Sequence, residues 1–595
     1  MTDAKYENPK SGYNRFLLLV AGLGGLLFGV DVGIISGALP YLEATSGLNA
    51  NQLSFIVAAV FLGGVFSTLF AGALADFFGR KTMMIFSGLL FVVSVPIIAL
   101  SHDYSALIFG RLLQGISGGL IGVVIPLYLA ECLGAGDRGK GTGIFQWLLT
   151  LGIVAASVIG FYWSGRVDEV AKLGDAQKLF AFKDTAWRGI FWVSLPPGIL
   201  FVIGGLMVSE SPRWLFRRGK KDATLRALLR SRSDEQAEIE LQEMENIATA
   251  EKPSASSTGK NSESLLQRKY ILPFILACII LACNQATGVN SIIGYNTTIF
   301  IQAGLSDYWG HLGGVIQTIV NFLMTIGAIA LVDRKGRKFL LSLGSAGVIV
   351  SLLAVGFVFH KTEAQRVDVK DAVQATVISS NQTVVIEFNE VVAGTLLASA
   401  NKNSAQPKTL VVIYSYGDFR AASKVIRSDD PGASISIDRE SCVPVGTNKL
   451  AKISTFIRHP FANLEKSRTA PLKIENAIIT PVPSTHNGWL TALLIYCFMA
   501  SFAVGPGVCV WLALSELMPT RIRSNGMSVA LLINIVISWA IAAIFLPTVG
   551  KYGYSTMFFI FAGCTVVYFI TATFFLPETK GKTLEEIEEH FEGKK

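Results

Sequence analysis

Two formal charges stand among apolar residues: Asp31 within the run 16–38, and Arg111 early in the run 105–130. Each is the only charge inside its run. A carboxylate in that setting suits proton traffic. Desolvation favours its neutral acid, a nearby guanidinium favours its carboxylate, and a change in their separation switches the proton. A static structural ion pair is the alternative. A second set consists of amides in other apolar runs: Gln146, Asn284, Gln285, Asn290, Asn321 and Asn534, with Trp511 nearby in type. An amide both donates and accepts hydrogen bonds, which matches sugar hydroxyls, and an indole offers an apolar face to a sugar ring. Single amides also serve as glue between helices. Asn284 and Asn290 do not share one face of an ideal helix, and Gly288 between them offers a place for the helix to break. No nucleophile–base set, cofactor motif or metal-like pair of cysteines is present in the sequence, so neither an enzyme nor a metal site is expected. The seven cysteines read as small packing residues.

The elements that must position these groups follow from composition. Of 595 residues, 51% are apolar and 16% charged, and the mean hydropathy is +0.49. A soluble protein carries about 25% charged residues. Twelve runs are long and apolar enough to span a bilayer: 16–38, 52–75, 82–100, 105–130, 142–163, 188–208, 271–301, 311–332, 339–359, 488–515, 526–547 and 554–576. If the N-terminus is cytoplasmic, the short inner loops hold ten Lys and Arg; the outer ones, including a longer loop at 164–187, hold five. This bias places both termini inside a cell (inner) membrane. It accounts for much of the net charge of +8 with no nucleic-acid partner.

The chain also repeats itself. Asp76-Phe-Phe-Gly-Arg-Lys81 returns as Asp333-Arg-Lys-Gly-Arg-Lys338, and Glu131…Arg138 returns as Glu516…Arg523. The second pair of motifs is spread by an insertion at 361–486. The expected architecture is therefore an all-α membrane protein of twelve transmembrane helices in two six-helix halves, with a small β-rich domain inserted outside the membrane. The divisions are 1–208, a cytoplasmic linker at 209–270 with short helices over 222–250, a second half at 271–360 and 487–576, the insertion at 361–486, and a tail at 577–595. Strand-like stretches in the insertion are 383–388, 409–416, 434–438 and 472–479, and a β-sandwich or barrel is expected of them. An accessory cap, or a cap that binds an unidentified partner, is its expected role, with substrate capture as the alternative.

These residues resemble the sugar porter family of the major facilitator superfamily. The likeness rests on Gly24-Gly-Leu-Leu-Phe-Gly-Val-Asp31, the two repeated motifs above, Pro126-Leu-Tyr-Leu-Ala-Glu131, Glu210-Ser-Pro-Arg-Trp-Leu215 and Gln285-Ala-Thr-Gly-Val-Asn290. It continues with Gly505-Pro-Gly-Val-Cys-Val-Trp511 and Pro577-Glu-Thr-Lys-Gly-Lys-Thr-Leu584. It implies transport of a hexose or pentose by alternating access, coupled to protons through Asp31 and Arg111. A uniporter that keeps Asp31, or a transporter-like sensor, is the alternative. By motif match, Gln146, Gln285, Asn290, Trp511 and Asn534 resemble the family's sugar-contacting positions; Phe28 borders that pocket, and Asn284, which stands where the family carries Gln, and Asn321 join the substrate-binding candidates as amides. Tyr295 belongs to an outer gate, although Gly294-Tyr295 stands where the family carries Tyr-Tyr. Asp76, Arg80, Glu131, Arg138, Glu210, Arg213, Asp333, Arg337, Glu516 and Arg523 resemble the cytoplasmic lattice of charges that holds an outward-open state.

Overall fold

The computed structural model describes residues 11–133, 138–250, 268–378, 380–398, 406–430, 433–444, 462–510, 517, 523–578 and 591. Twelve of its helices are long and apolar enough to cross a membrane. Spans 1 to 6 are Gly12–Thr45, Ala50–Phe78, Arg80–Ala99, Tyr104–Cys132, Gly143–Ala171 and Ala176–Met207. Spans 7 to 12 are Tyr270–Gly294, Asp307–Val332, Arg337–Glu363, Thr485–Val510, Gly526–Tyr552 and Tyr554–Phe575. Helices prevail because hydrocarbon supplies no partner for backbone N–H and C=O groups. Side chains take over at the ends. Asn49 and Gln52 form a reciprocal capping box at span 2, and Asp103, Ser306 and Ser484 cap spans 4, 8 and 10.

Three spans are interrupted where the sequence allows it. Span 6 changes course at Val193–Ser194, just before two prolines. Span 7 breaks at Gly288, whose φ of +81° suits a residue without Cβ, and continues through Asn296–Gln302. Span 10 passes through a π-helical turn at Ala503–Gly507 that contains Pro506. The loop expected at 164–187 is mostly helix, since one helix runs to Ala171 and the next starts at Ala176. Its polar residues sustain helix beyond the apolar run through local pairs such as Lys172–Asp168 (2.8 Å) and the Asp175 cap.

The first half closes tightly around glycines. A Cβ on Gly37 of span 1 would lie 2.8 Å from the Cα of Gly160 in span 5, so only glycine lets these backbones approach. The described part of the linker folds as three helices, Pro212–Arg217, Lys221–Ser231 and Asp234–Ala250. Buried Arg232 docks it, donating to the Cys132 carbonyl at the end of span 4 and to Glu240, both at 2.8 Å.

The insertion separates spans 9 and 10. Its strands are β1 (Val367–Asp368), β2 (Val384–Glu387), β3 (Lys408–Tyr416), β4 (Phe419–Ala422), β5 (Ile426–Arg427), β6 (Ser434–Ile437) and β7 (Leu472–Pro481). One antiparallel sheet has the order β1-β7-β3-β4, with β5 also on β3; β2 and β6 form a separate ribbon. Helices Lys370–Ala375, Glu390–Ala398 and Leu464–Thr469 join them. The expected sandwich or barrel gives way to an open α+β domain, because helices supply much of the second layer over the sheet. Val384, Ile386, Leu410, Val412, Tyr414 and Ile474 share a core separate from those of the bundle. Strand β3 is buried on both faces. Its alternate residue Ile413 packs with the bundle core instead.

Gly37→Val should overpack the span 1–span 5 seam and destabilise the detergent-purified protein by about 1–3 kcal/mol. Gly72→Val, whose Cβ would meet nothing within 4 Å, should leave the melting temperature unchanged. Equal melting curves for the two variants would contradict this packing.

Candidate functional site

Span 1 carries Asp31 and span 4 carries Arg111, and both side chains are almost fully buried at 1% and 2% exposure. The Arg111 Nη1 lies 3.4 Å from Asp31 Oδ1 and donates to Gln114 Oε1 at 2.8 Å. The other carboxylate oxygen, Asp31 Oδ2, is buried with no hydrogen-bond partner among the described residues. Gly118 makes room for it, since a Cβ there would stand 3.4 Å from Oδ2 and 3.2 Å from the Phe28 ring. Phe28 therefore stands beside the carboxylate. Gln114 was not singled out in the sequence, although its spacing three residues after Arg111 puts it on the same helix face.

The amides of span 7 come together around the Gly288 break. Asn290 Nδ2 donates to Gln285 Oε1 at 2.8 Å, and Gln285 Nε2 donates to Asn284 Oδ1 at 3.3 Å. Asn284 Nδ2 reaches the Pro506 carbonyl of the span 10 π turn at 3.0 Å. Span 11 closes the group: Ser538 Oγ donates to Gln285 Oε1 at 3.0 Å, and Asn534 Nδ2 donates to the Leu281 carbonyl at 3.1 Å. Ser538 is a member that sequence reasoning missed, for serine in a helix carries no mark of its own. Gln146 and Asn321 are half-buried on spans 5 and 8, next to the Trp147–Phe322 ring contact (5.8 Å). One turn from Asn321, Gln317 is fully buried and neither of its amide atoms has a partner among the described residues. An orphaned buried amide is costly, which marks Gln317 as a further candidate. Trp511 lies outside the described residues.

The two halves meet at the end of the bundle that carries the insertion. Tyr295 donates to the Ala542 carbonyl (3.1 Å), its hydroxyl lies 3.3 Å from Ser54 Oγ, and its ring stacks on Phe545 at 4.5 Å. Ser54 Oγ also accepts from the Leu546 N–H at 3.1 Å. Tyr41 donates to Asp307 Oδ2 at 2.8 Å, and His311 Nε2 lies 3.2 Å from the Gly37 carbonyl. These contacts join spans 1 and 2 to spans 7, 8 and 11, so this end is closed.

At the opposite end, the repeated motifs build the same device twice. Gly79 and Gly336 have φ of +100° and +89°, conformations that favour glycine. In the first half, Glu210 accepts from the backbone N–H groups of Arg80 and Lys81, each at 3.0 Å. In the second, Glu578 accepts from those of Arg337 (3.0 Å) and Lys338 (3.2 Å). A carboxylate thus caps each following helix at its positive end. Glu578 was absent from the candidates, although it lies within the quoted Pro577-Glu-Thr-Lys motif. Arg80, 2% exposed, pairs with Glu131 at 2.9 Å and with Asp76 at 2.7 Å. Glu131 also accepts from Ser211 Oγ at 2.5 Å. Among the described residues the partners of Glu131 are thus Arg80 and Ser211; its expected pairing with Arg138 falls on a side chain outside them. Arg213 is exposed and stands apart from this cluster. Glu516 and the side chains of Arg138, Asp333 and Arg523 lie outside the described residues.

The family profile described as "Sugar (and other) transporter" matches residues 17–397 and 474–591. The chain belongs to this sugar transporter family. The arabinose-proton symporter of Bacillus subtilis (strain 168) is 24% identical over 577 residues, with 97% of this chain and 95% of that protein covered. The proton myo-inositol cotransporter of Homo sapiens is 27% identical over 605 residues, with 99% and 83% covered. The fold is that of the inward-open xylose transporter XylE from E. coli, at a TM-score of 0.61 and 20% identity, covering 96% of this chain and 98% of that one. The protein is thus a multi-pass membrane transporter of the major facilitator fold, and its relatives are transporters rather than enzymes.

Removing Arg80 would leave Glu131 buried without its cation, so Arg80→Ala should cost about 3–5 kcal/mol. Asp76, 63% exposed, should matter far less, with Asp76→Asn costing under about 1 kcal/mol. Thermal unfolding in detergent compares the two. Similar losses would show that the Arg80–Glu131 pair is not the dominant contact.

Proposed function

We propose that the protein is a proton-coupled symporter for a monosaccharide, a hexose or pentose, in a cell membrane, with both termini cytoplasmic and the insertion outside. The observation that carries the coupling is Asp31: a buried carboxylate with one oxygen against Arg111 and the other unpartnered. A charge at that depth is costly. A proton on Oδ2 neutralises the carboxylate and loosens its hold on Arg111, and loss of the proton restores the pair. Names of relatives point the same way, since two are proton symporters for arabinose and myo-inositol.

The amide cluster suits the sugar. Gln285, Asn290 and Ser538 already exchange hydrogen bonds among themselves, and sugar hydroxyls can replace those bonds one for one. Asn284 and Asn534 bond backbone carbonyls and fix the break in span 7. Tyr295 serves as the outer gate, closed here against Ser54 and Phe545. With the outer end closed, the site faces inward, and the described inner charges pair within their own halves. In the outward-open state, residues such as Arg80, Glu131, Glu210 and Arg337 would join the halves, and those contacts would favour that state.

Asp31→Asn should abolish sugar accumulation driven by a pH gradient in vesicles while sugar counterflow continues. A variant that still concentrates sugar would reject coupling through Asp31. In the pocket, Gln285→Ala and Asn290→Ala should each weaken sugar affinity by roughly 5- to 150-fold, the loss expected for a buried polar partner. Wild-type affinity in both would place the sugar elsewhere.

A further inference from the structure

The insertion touches both halves of the transporter, and it touches them differently. Against the second half its contact combines apolar packing with hydrogen bonds to backbone carbonyls. Ile413 and Ala422 join the bundle core with Val549 and Tyr554, and a Cβ on Gly550 of span 11 would lie 3.3 Å from that of Ala422. Arg427 donates to the carbonyls of Ile301 (3.0 Å) and Leu305 (3.4 Å), and Arg366 donates to the Tyr552 carbonyl at 3.0 Å. The domain is also joined to this half covalently at both ends.

Against the first half, where β4 also packs on span 2, the hydrogen bonds among the described residues are made by side chains. Asn49 donates to the Ser441 carbonyl at 2.5 Å and Asn51 to that of Arg420 at 3.4 Å. Lys424 Nζ donates to the Glu43 carbonyl at 3.4 Å, and Lys183 pairs with Asp430 at 3.4 Å. Burial lowers the Lys424 pKa, and the nearby Glu43 carboxylate opposes that loss. A cavity of about 400 Å³, lined by Glu43, Lys183, Thr298, Lys424 and Arg427 among others, lies between the insertion and the two halves. The Lys183–Asp430 and Lys424–Glu43 contacts therefore border open volume, where water can replace them as they part.

We propose that the inserted domain is an outer gate element: it moves with the second half, and its polar contacts to the first half hold the outside-closed state and must part before the sugar site opens outward. Lys183, Lys424, Asp430 and Asn49 are then positioning residues of the transport cycle, and the face of the insertion is used by its own chain. This rests on the alternating-access reading. A contact present in only one state favours that state by its own free energy.

The test reads distance, so it is independent of sugar uptake. Spin labels at Ser46→Cys in the first half and Lys551→Cys in the second, with exposed Cys497 replaced by Ser, report separation at the outer end by electron–electron resonance. Lys183→Ala/Lys424→Ala, and separately the milder Asp430→Asn, should raise the ratio of long to short distances, for the double variant by about 2- to 30-fold. Unlabelled cysteine pairs then act as staples before reduction and labelling of the reporter sites is replaced by uptake. A short thiol-cleavable crosslink between Lys183→Cys and Asp430→Cys should stop exchange in vesicles and release it on reduction. A disulfide between Ala422→Cys and Gly550→Cys should leave exchange within about twofold of wild type, since its Cβ separation is near disulfide geometry. Unchanged distances in both charge variants would overturn the gate. So would exchange that persists across the 183–430 staple, or arrest by the 422–550 staple. Absence of sugar exchange in the unmodified protein would instead count against the proposed substrate.

Discussion

A carboxylate buried between helices with only one of its oxygens against a cation is the constraint around which this bundle is built. Asp31 cannot hydrate where it stands, and Arg111 reaches only Oδ1. The pair is held by elements on both sides. Gly118 leaves space for Oδ2, Gln114 steadies the guanidinium, and the Phe191 ring lies 5.8 Å from it. Such an arrangement is poor as a static brace, because a static brace gains by satisfying both oxygens. It suits a group whose charge changes during a cycle.

The two halves are alike where they must move alike and unlike where the insertion intervenes. The glycine–arginine–lysine turns at 79–81 and 336–338 are capped by Glu210 and Glu578, which hold matching places just past the last span of each half. Identical capping chemistry at both repeats keeps the first turns of spans 3 and 9 equivalent. At the end of the bundle that carries the insertion the symmetry is lost. Only the second half carries an inserted domain, and that domain packs apolar residues against span 11 and makes polar contacts to spans 1, 2 and 6.

Much of this was legible in the sequence. Spans were visible because hydrocarbon demands long apolar helices, and all four strand-like stretches coincide with strands. Gly288 signalled the break that brings Gln285 and Asn290 together. The sequence was silent where one residue's role depends on a distant one. Ser538 and Gln317 look like ordinary helix polar residues until their neighbours are known. Strand β3 reads only as strand-like, and the cover of its second face by the bundle is a contact between segments far apart in the chain. The stretch 164–187 looked like loop because its charges exceed what a span tolerates; outside hydrocarbon the same charges pair along a helix and sustain it.

The central claim is that sugar and proton cross together. Purified protein in vesicles with an internal pH dye, given sugar on one side and no initial pH gradient, measures this directly. The account predicts that inward sugar flux acidifies the lumen, in proportion to sugar moved, and that the proton movement stops when sugar is withheld. Sugar uptake with no change in lumenal pH would contradict it.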